Sequence, residues 1–88
     1  MKVEFLASFE KDLSRIRQNH LKVAIEKLIL TTEKAEKLKE IPHLKKLSGH
    51  KSAYRIKLGD YRIGVFVARN TVEFARILHR KDIYREFP

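Results

Sequence analysis

Cationic side chains at alternating positions are the part of this sequence best able to do chemistry. Charged and apolar residues alternate through Tyr54-Arg55-Ile56-Lys57-Leu58 and again through Tyr61-Arg62-Ile63. Gly59-Asp60 between them is a good two-residue hairpin turn. A turn at that point sets Lys57 directly opposite Arg62, with Arg55 opposite Gly64. Like charges directly opposed cost stability unless something anionic lies between or above them. Arg55, Lys57 and Arg62 therefore read as a phosphate-backbone patch, weighed against a solvated face whose long cationic chains simply cover the sheet. A second polar cluster follows at His79-Arg80-Lys81-Asp82-Ile83-Tyr84-Arg85. It is either a basic tail docking to the sheet rim or an extension of the cationic face, with the Tyr84 ring available to stack on a base.

Other chemistries find no support. The four histidines, His20, His43, His50 and His79, form no His-x-x-x-His or Glu-x-x-His set, and the chain has no cysteine, so no metal site and no cofactor is expected. There is no glycine-rich phosphate loop, no Gly-x-Ser-x-Gly elbow and no convincing carboxylate pair.

The elements that must position these residues are legible from periodicity. Val3, Phe5 and Leu6 suit a short strand over residues 2–7, with Ser8 as the N-cap of a short helix carrying Phe9, Leu13 and Ile16. Asn19 reads as a second cap, before a stronger helix from about His20 to the mid-thirties through Leu21, Ile25, Leu28, Thr32 and Ala35. Glu33 and Lys37 would form a favourable i,i+4 pair if the helix runs that far. The short break predicts an antiparallel helical hairpin. Pro42 and Gly49 then mark a polar connection, and from Ala53 the period changes to two. Arg69-Asn70 is a second turn, with Asn70 able to take a positive φ. The predicted fold is one α+β domain over residues 1–88, ordered β-α-α-β-β-β, with the two helices on one face of a small antiparallel sheet.

Counting outward from both turns gives two faces. One carries Tyr54, Ile56, Leu58, Tyr61, Ile63, Val65, Val67, Val72, Phe74 and Leu78 and packs on the helices. The other carries Ala53, Arg55, Lys57, Arg62, Gly64, Phe66, Ala75, Ile77 and His79, with the small residues leaving a shallow concavity beside the charges. Arg76 does not fit, since parity places it among the apolar residues. A three-residue loop at Ala68–Thr71 would flip the third strand and carry His79 to the core side.

The order of elements and several motifs together resemble the RelE/ParE superfamily of toxins over the whole chain. The carriers are Ile41-Pro42, Lys46-Leu47-Ser48-Gly49, Tyr54-Arg55-Ile56-Lys57, Gly59-Asp60-Tyr61-Arg62-Ile63 and His79-Arg80-Lys81-Asp82-Ile83-Tyr84. The resemblance implies the toxin of a type II toxin–antitoxin pair. In the RelE branch such a toxin cuts mRNA in the ribosomal A site without a metal, and in the ParE branch it poisons DNA gyrase. On the RelE side, Lys57 matches the residue that helps activate the ribose 2′-OH, and Arg62 the arginine that stabilises the scissile phosphate. Arg55 corresponds to a neighbouring cation, Arg80 to the arginine near the leaving 5′ oxygen, and Tyr84 to the tyrosine that orients the nucleotide. Lys51 and Lys81 join Arg55 as phosphate-binding candidates. His79, the one imidazole in that cluster, is a candidate general acid, because an arginine is a poor one. The implied product is a 2′,3′-cyclic phosphate, and the implied partner a cognate antitoxin that wraps the chain and blocks this site.

Composition agrees with a polyanion partner: 20 Lys+Arg against 11 Asp+Glu give a net charge of +9, and residues 48–88 hold six of the eight arginines. Nothing at the N-terminus reads as a signal peptide, and no apolar run could span a bilayer. A soluble, cytoplasmic protein is expected.

Overall fold

A computed structural model describes all residues, Met1–Pro88. Strand β1 (Lys2–Phe5) leads into helices α1 (Ala7–Ser14) and α2 (Asn19–Lys34). A single 3₁₀ turn over Leu38–Glu40 and a three-residue strand β2 (Leu44–Lys46) follow. The meander β3 (Ala53–Leu58), β4 (Tyr61–Ala68) and β5 (Thr71–His79) ends in the short helix α3 (Ile83–Glu86). The five strands lie in the order β1-β5-β4-β3-β2. Strands β2 to β5 are antiparallel, but β1 pairs with β5 in parallel, so the sheet is mixed where an antiparallel one was expected. Parallel pairing follows from the helices: they carry the chain from the end of β1 round to the rest of the sheet before β5 returns beside it.

One core holds the fold together. Leu21, Ile25, Leu28 and Thr32 recur along the buried stripe of α2, and the Thr32 hydroxyl donates to the Leu28 carbonyl at 2.8 Å, so its burial leaves no unpaired polar group. That stripe and Phe9 and Ile16 join Ile56, Ile63, Val65, Val72, Phe74 and Ile77 from the sheet in one apolar cluster. The caps differ from expectation. Leu6 and Gln18 occupy the N-cap positions, and Ser8 instead donates its hydroxyl to the Ala75 carbonyl at 2.6 Å. Helix α2 turns extended at Ala35, so Lys37 lies outside it and the Glu33–Lys37 helical pair does not form.

Both expected hairpin turns are present, with Leu58 opposite Tyr61 and Ala68 opposite Thr71. In each the first turn residue has positive φ, Gly59 at 60° and Arg69 at 57°, so Arg69 and not Asn70 takes the left-handed conformation. The register breaks further along. Val65 faces Phe74 but Gly64 faces Arg76, leaving Ala75 as the extra residue of a β-bulge. Beyond it every side chain changes face relative to simple alternation. Ile77 and His79 join Ile63 and Tyr61 on the helix side, while Arg76 and Leu78 join Gly64 and Arg62 on the outer side. The shift comes from the strand interior and not from a longer loop. No helix is long and apolar enough to cross a membrane.

Candidate phosphate site on the outer sheet face

The β3–β4 hairpin delivers three of the proposed cations to one face. Lys57 is directly opposite Arg62, and Arg55 opposite Gly64. Lys57 is exposed and Arg62 half-buried. Carbonyl dipoles hold the arginines: Arg62 Nη1 donates to the Gly59 and Tyr61 carbonyls at 2.8 and 2.9 Å, and Arg55 Nη1 to the His43 carbonyl at 3.2 Å. A guanidinium has five N–H donors, so each arginine keeps donors for an anion while its position is set. None of the three forms an ion pair with a carboxylate. The patch is thus preorganised and uncompensated.

The C-terminal cluster reaches this site along two routes. The Arg80 amide donates to the Asp60 carbonyl at 2.8 Å, which ties residue 80 to the turn between Lys57 and Arg62. Its exposed side chain lies 3.9 Å from the Asp60 carboxylate. Helix α3 then crosses the outer face, burying Ile83 and Phe87 against Ala53, Ala75, Phe66 and Leu78. Tyr84 is carried on that helix and is 58% exposed. The concavity expected at the small residues is therefore filled. A Cβ built on Gly64 would come within 2.5 Å of the Phe87 ring, so the missing side chain of Gly64 is the seat of Phe87. Phe87 was not foreseen as a site element. Its only trace in the sequence is that an apolar residue stands three after Tyr84.

Arg76, which alternation placed among the apolar residues, is explained by the bulge. Its Nε and Nη2 donate to the two Asp12 carboxylate oxygens at 2.7 and 3.1 Å, and its Nη1 lies 3.7 Å from Glu86. Hydrogen bonding to Asp12 raises the Arg76 pKa above an already high ordinary value, against the opposing effect of desolvation. Arg76 clasps α1, β5 and α3 together.

His79 is not brought to the patch. The bulge puts it on the helix side of the sheet, edge-on to Tyr61 with ring centroids 5.6 Å apart. Its Nδ1 accepts the Lys81 amide at 3.2 Å. Placement beside Lys57 and Arg62 is corrected accordingly, and with it the geometric basis for His79 as their general acid. Lys81 is exposed in the turn before α3. Lys51 is exposed in the loop two residues before Ala53, and Lys57 lies about 13 Å beyond Ala53 along β3 at ~3.3 Å per residue. That separation places Lys51 away from the Lys57–Arg62 pair. No three His, Asp or Glu side chains come together in a metal-binding arrangement.

Comparison with known proteins gives this geometry a family. Residues 3–84 match the family described as the ParE toxin of the type II toxin–antitoxin system parDE. Over the full length of both chains the sequence is 39% identical to Toxin RelE3 of Methanocaldococcus jannaschii. The structure is similar to the toxin in the RelB-RelE antitoxin–toxin complex from Methanococcus jannaschii, with a TM-score of 0.82 and 36% identity, covering 97% of this chain and 99% of that one. The RelBE2 toxin–antitoxin complex of Mycobacterium tuberculosis shares the fold, with a TM-score of 0.72 at 21% identity over 90% of this chain and 96% of that one. Matching across nearly the whole chain, in sequence and in fold, places this protein in the RelE/ParE superfamily as a RelE-like toxin of a type II toxin–antitoxin system.

Proposed function

We propose that this toxin is an endoribonuclease that cuts mRNA on the ribosome, in the A site, and so inhibits translation in the cytoplasm. The observation that carries the reading is the directly opposed, carboxylate-free pair Lys57 and Arg62, with Arg80 tied to the same turn. In the proposed reaction the ribose 2′ oxygen gives its proton to water and bonds to phosphorus as the bond to the 5′ oxygen breaks. The 5′ oxygen takes a proton from water in turn, leaving a 2′,3′-cyclic phosphate and a free 5′-OH. Negative charge builds on the pentacoordinate phosphorus and then on the leaving oxygen, and fixed cations stabilise both more than they stabilise the ground state. Arg62 and Lys57 serve the phosphorus centre, with Lys57 favouring loss of the 2′ proton by its charge. Arg80 serves the 5′ oxygen, and Tyr84 stacks on the nucleotide to align the 2′-OH with the bond that breaks. The solved RelB-RelE relative is an antitoxin–toxin complex. We extend that to a cognate antitoxin for this chain, whose acidic or amphipathic segments would cover the same cationic face.

One observation favours a second reading: the family model that matches is that of ParE toxins. Inhibition of DNA gyrase by binding is the corresponding activity. Inducing the toxin in bacteria while mapping mRNA 5′ ends and assaying gyrase supercoiling separates the two. Cuts within translated frames that vanish with Arg62→Ala support the nuclease. Growth arrest with intact mRNA and blocked supercoiling moves the assignment to gyrase.

A further inference from the structure

Strand β2 adds to the outer face a cation that sequence periodicity did not place. Lys45 is directly opposite Arg55, as Lys57 is opposite Arg62. Two like-charge pairs therefore lie on one face, two residues apart along β3. None of the four side chains forms an ion pair. Each pair costs stability in the free protein. The neighbouring Lys46 has the same charge and exposure but is opposite Tyr54, on the helix side. Cations on this side thus run diagonally from Arg62 through Lys57 and Arg55 to Lys45 at the sheet edge, where β2 has no further strand beside it.

We propose that Lys45 and Arg55 form a second phosphate-binding subsite, continuing the Lys57–Arg62 site, and that a single-stranded nucleic acid backbone runs across the face toward the edge at β2. The inference rests on the nuclease reading for its direction, but the subsite needs no cleavage to exist. A flexible single strand can place successive phosphates over successive cation pairs, whereas a duplex is too stiff to follow the twisted face.

The test is fluorescence anisotropy with a labelled 2′-O-methyl RNA 12-mer, which binds as a single strand but has no 2′-OH to attack phosphorus. Titrations run from 50 to 200 mM salt with wild type, Lys45→Ala and Lys46→Ala. All three are expected to fold, because both lysines are exposed. Lys45→Ala is expected to weaken binding several-fold and to reduce the slope of log K against log salt by about 0.7, the loss of one phosphate contact. Lys46→Ala is expected to stay within twofold of wild type. Equal weakening by both substitutions would show only a diffuse charge effect and overturns the proposal. So does an unchanged Lys45→Ala, which would leave the row to a protein partner, or a wild type that does not bind the strand. Since the probe cannot be cut, failure of the nuclease reading in cells leaves this result standing, and failure here leaves the Lys57–Arg62 chemistry untouched.

Discussion

Asp12 on α1 and Arg76 on β5 form a bidentate ion pair, and the same carboxylate accepts the Ile77 amide at 3.1 Å. Strand β1 pairs with β5 only as far as Phe74, so beyond that point β5 has a free edge. Helix α1 closes it with side chains, Ser8 donating to the Ala75 carbonyl and Asp12 accepting from Ile77. Edge backbone groups that would otherwise invite another strand are thereby satisfied.

Arg76→Ala leaves the Asp12 carboxylate, 4% exposed, with one backbone donor in place of three. A loss of about 3 kcal/mol is expected, and a fall in Tm of roughly 10–20 °C by calorimetry. Glu86→Ala removes only a 3.7 Å contact to a half-exposed carboxylate and is expected to cost under about 1 kcal/mol. Because the folded-state pKa of Arg76 is raised, its contribution is complete below the unfolded value and lost only as pH rises through the folded one. That window lies in strong alkali, so this pair should add no pH dependence to stability in the neutral range.

Gly64→Ala drives a methyl group into the Phe87 ring. Overpacking of about 1–3 kcal/mol is expected, together with loss of activity as α3 and Tyr84 shift. Phe87→Leu should recover part of both in the double mutant. Additive costs for the two changes, measured by urea denaturation, would show that the ring does not depend on this seat.

Lys57→Ala should separate activity from stability. Removing one member of the opposed pair relieves repulsion, so Tm should hold or rise slightly. Cleavage of ribosome-bound mRNA should fall at least about 100-fold, and Arg62→Ala should do the same. His79→Ala, on the other face, should leave cleavage within a few-fold of wild type while Arg80→Ala abolishes most of it. The opposite ranking would restore His79 as the general acid.

Arg69 is held at a φ of 57°, where a Cβ is unfavourable and glycine is not. Arg69→Gly is expected to stabilise the chain by about 1 kcal/mol and raise Tm by about 4–8 °C. Asn70→Gly should not, since Asn70 does not take a positive φ.

Local rules carried far in this chain because its hairpins are tight. Two-residue turns at Gly59-Asp60 and Arg69-Asn70 determine register from the sequence alone, so Lys57 opposite Arg62 and Arg55 opposite Gly64 follow by counting. The buried stripe Leu21, Ile25, Leu28 and Thr32 is equally local, a consequence of 3.6 residues per turn. Tertiary structure decided the rest, for reasons no periodicity contains. The bulge at Ala75 answers to α1 and to Asp12, sixty-four residues before Arg76, and it moves His79 to one face and Arg76 to the other. Strand β2 is too short to show a period, so Lys45 acquires its place only by pairing with β3. The seat at Gly64 exists because α3 folds back over the sheet with Phe87. Which cations the chain owns is a property of its sequence; which of them share one surface depends on contacts between residues far apart in it.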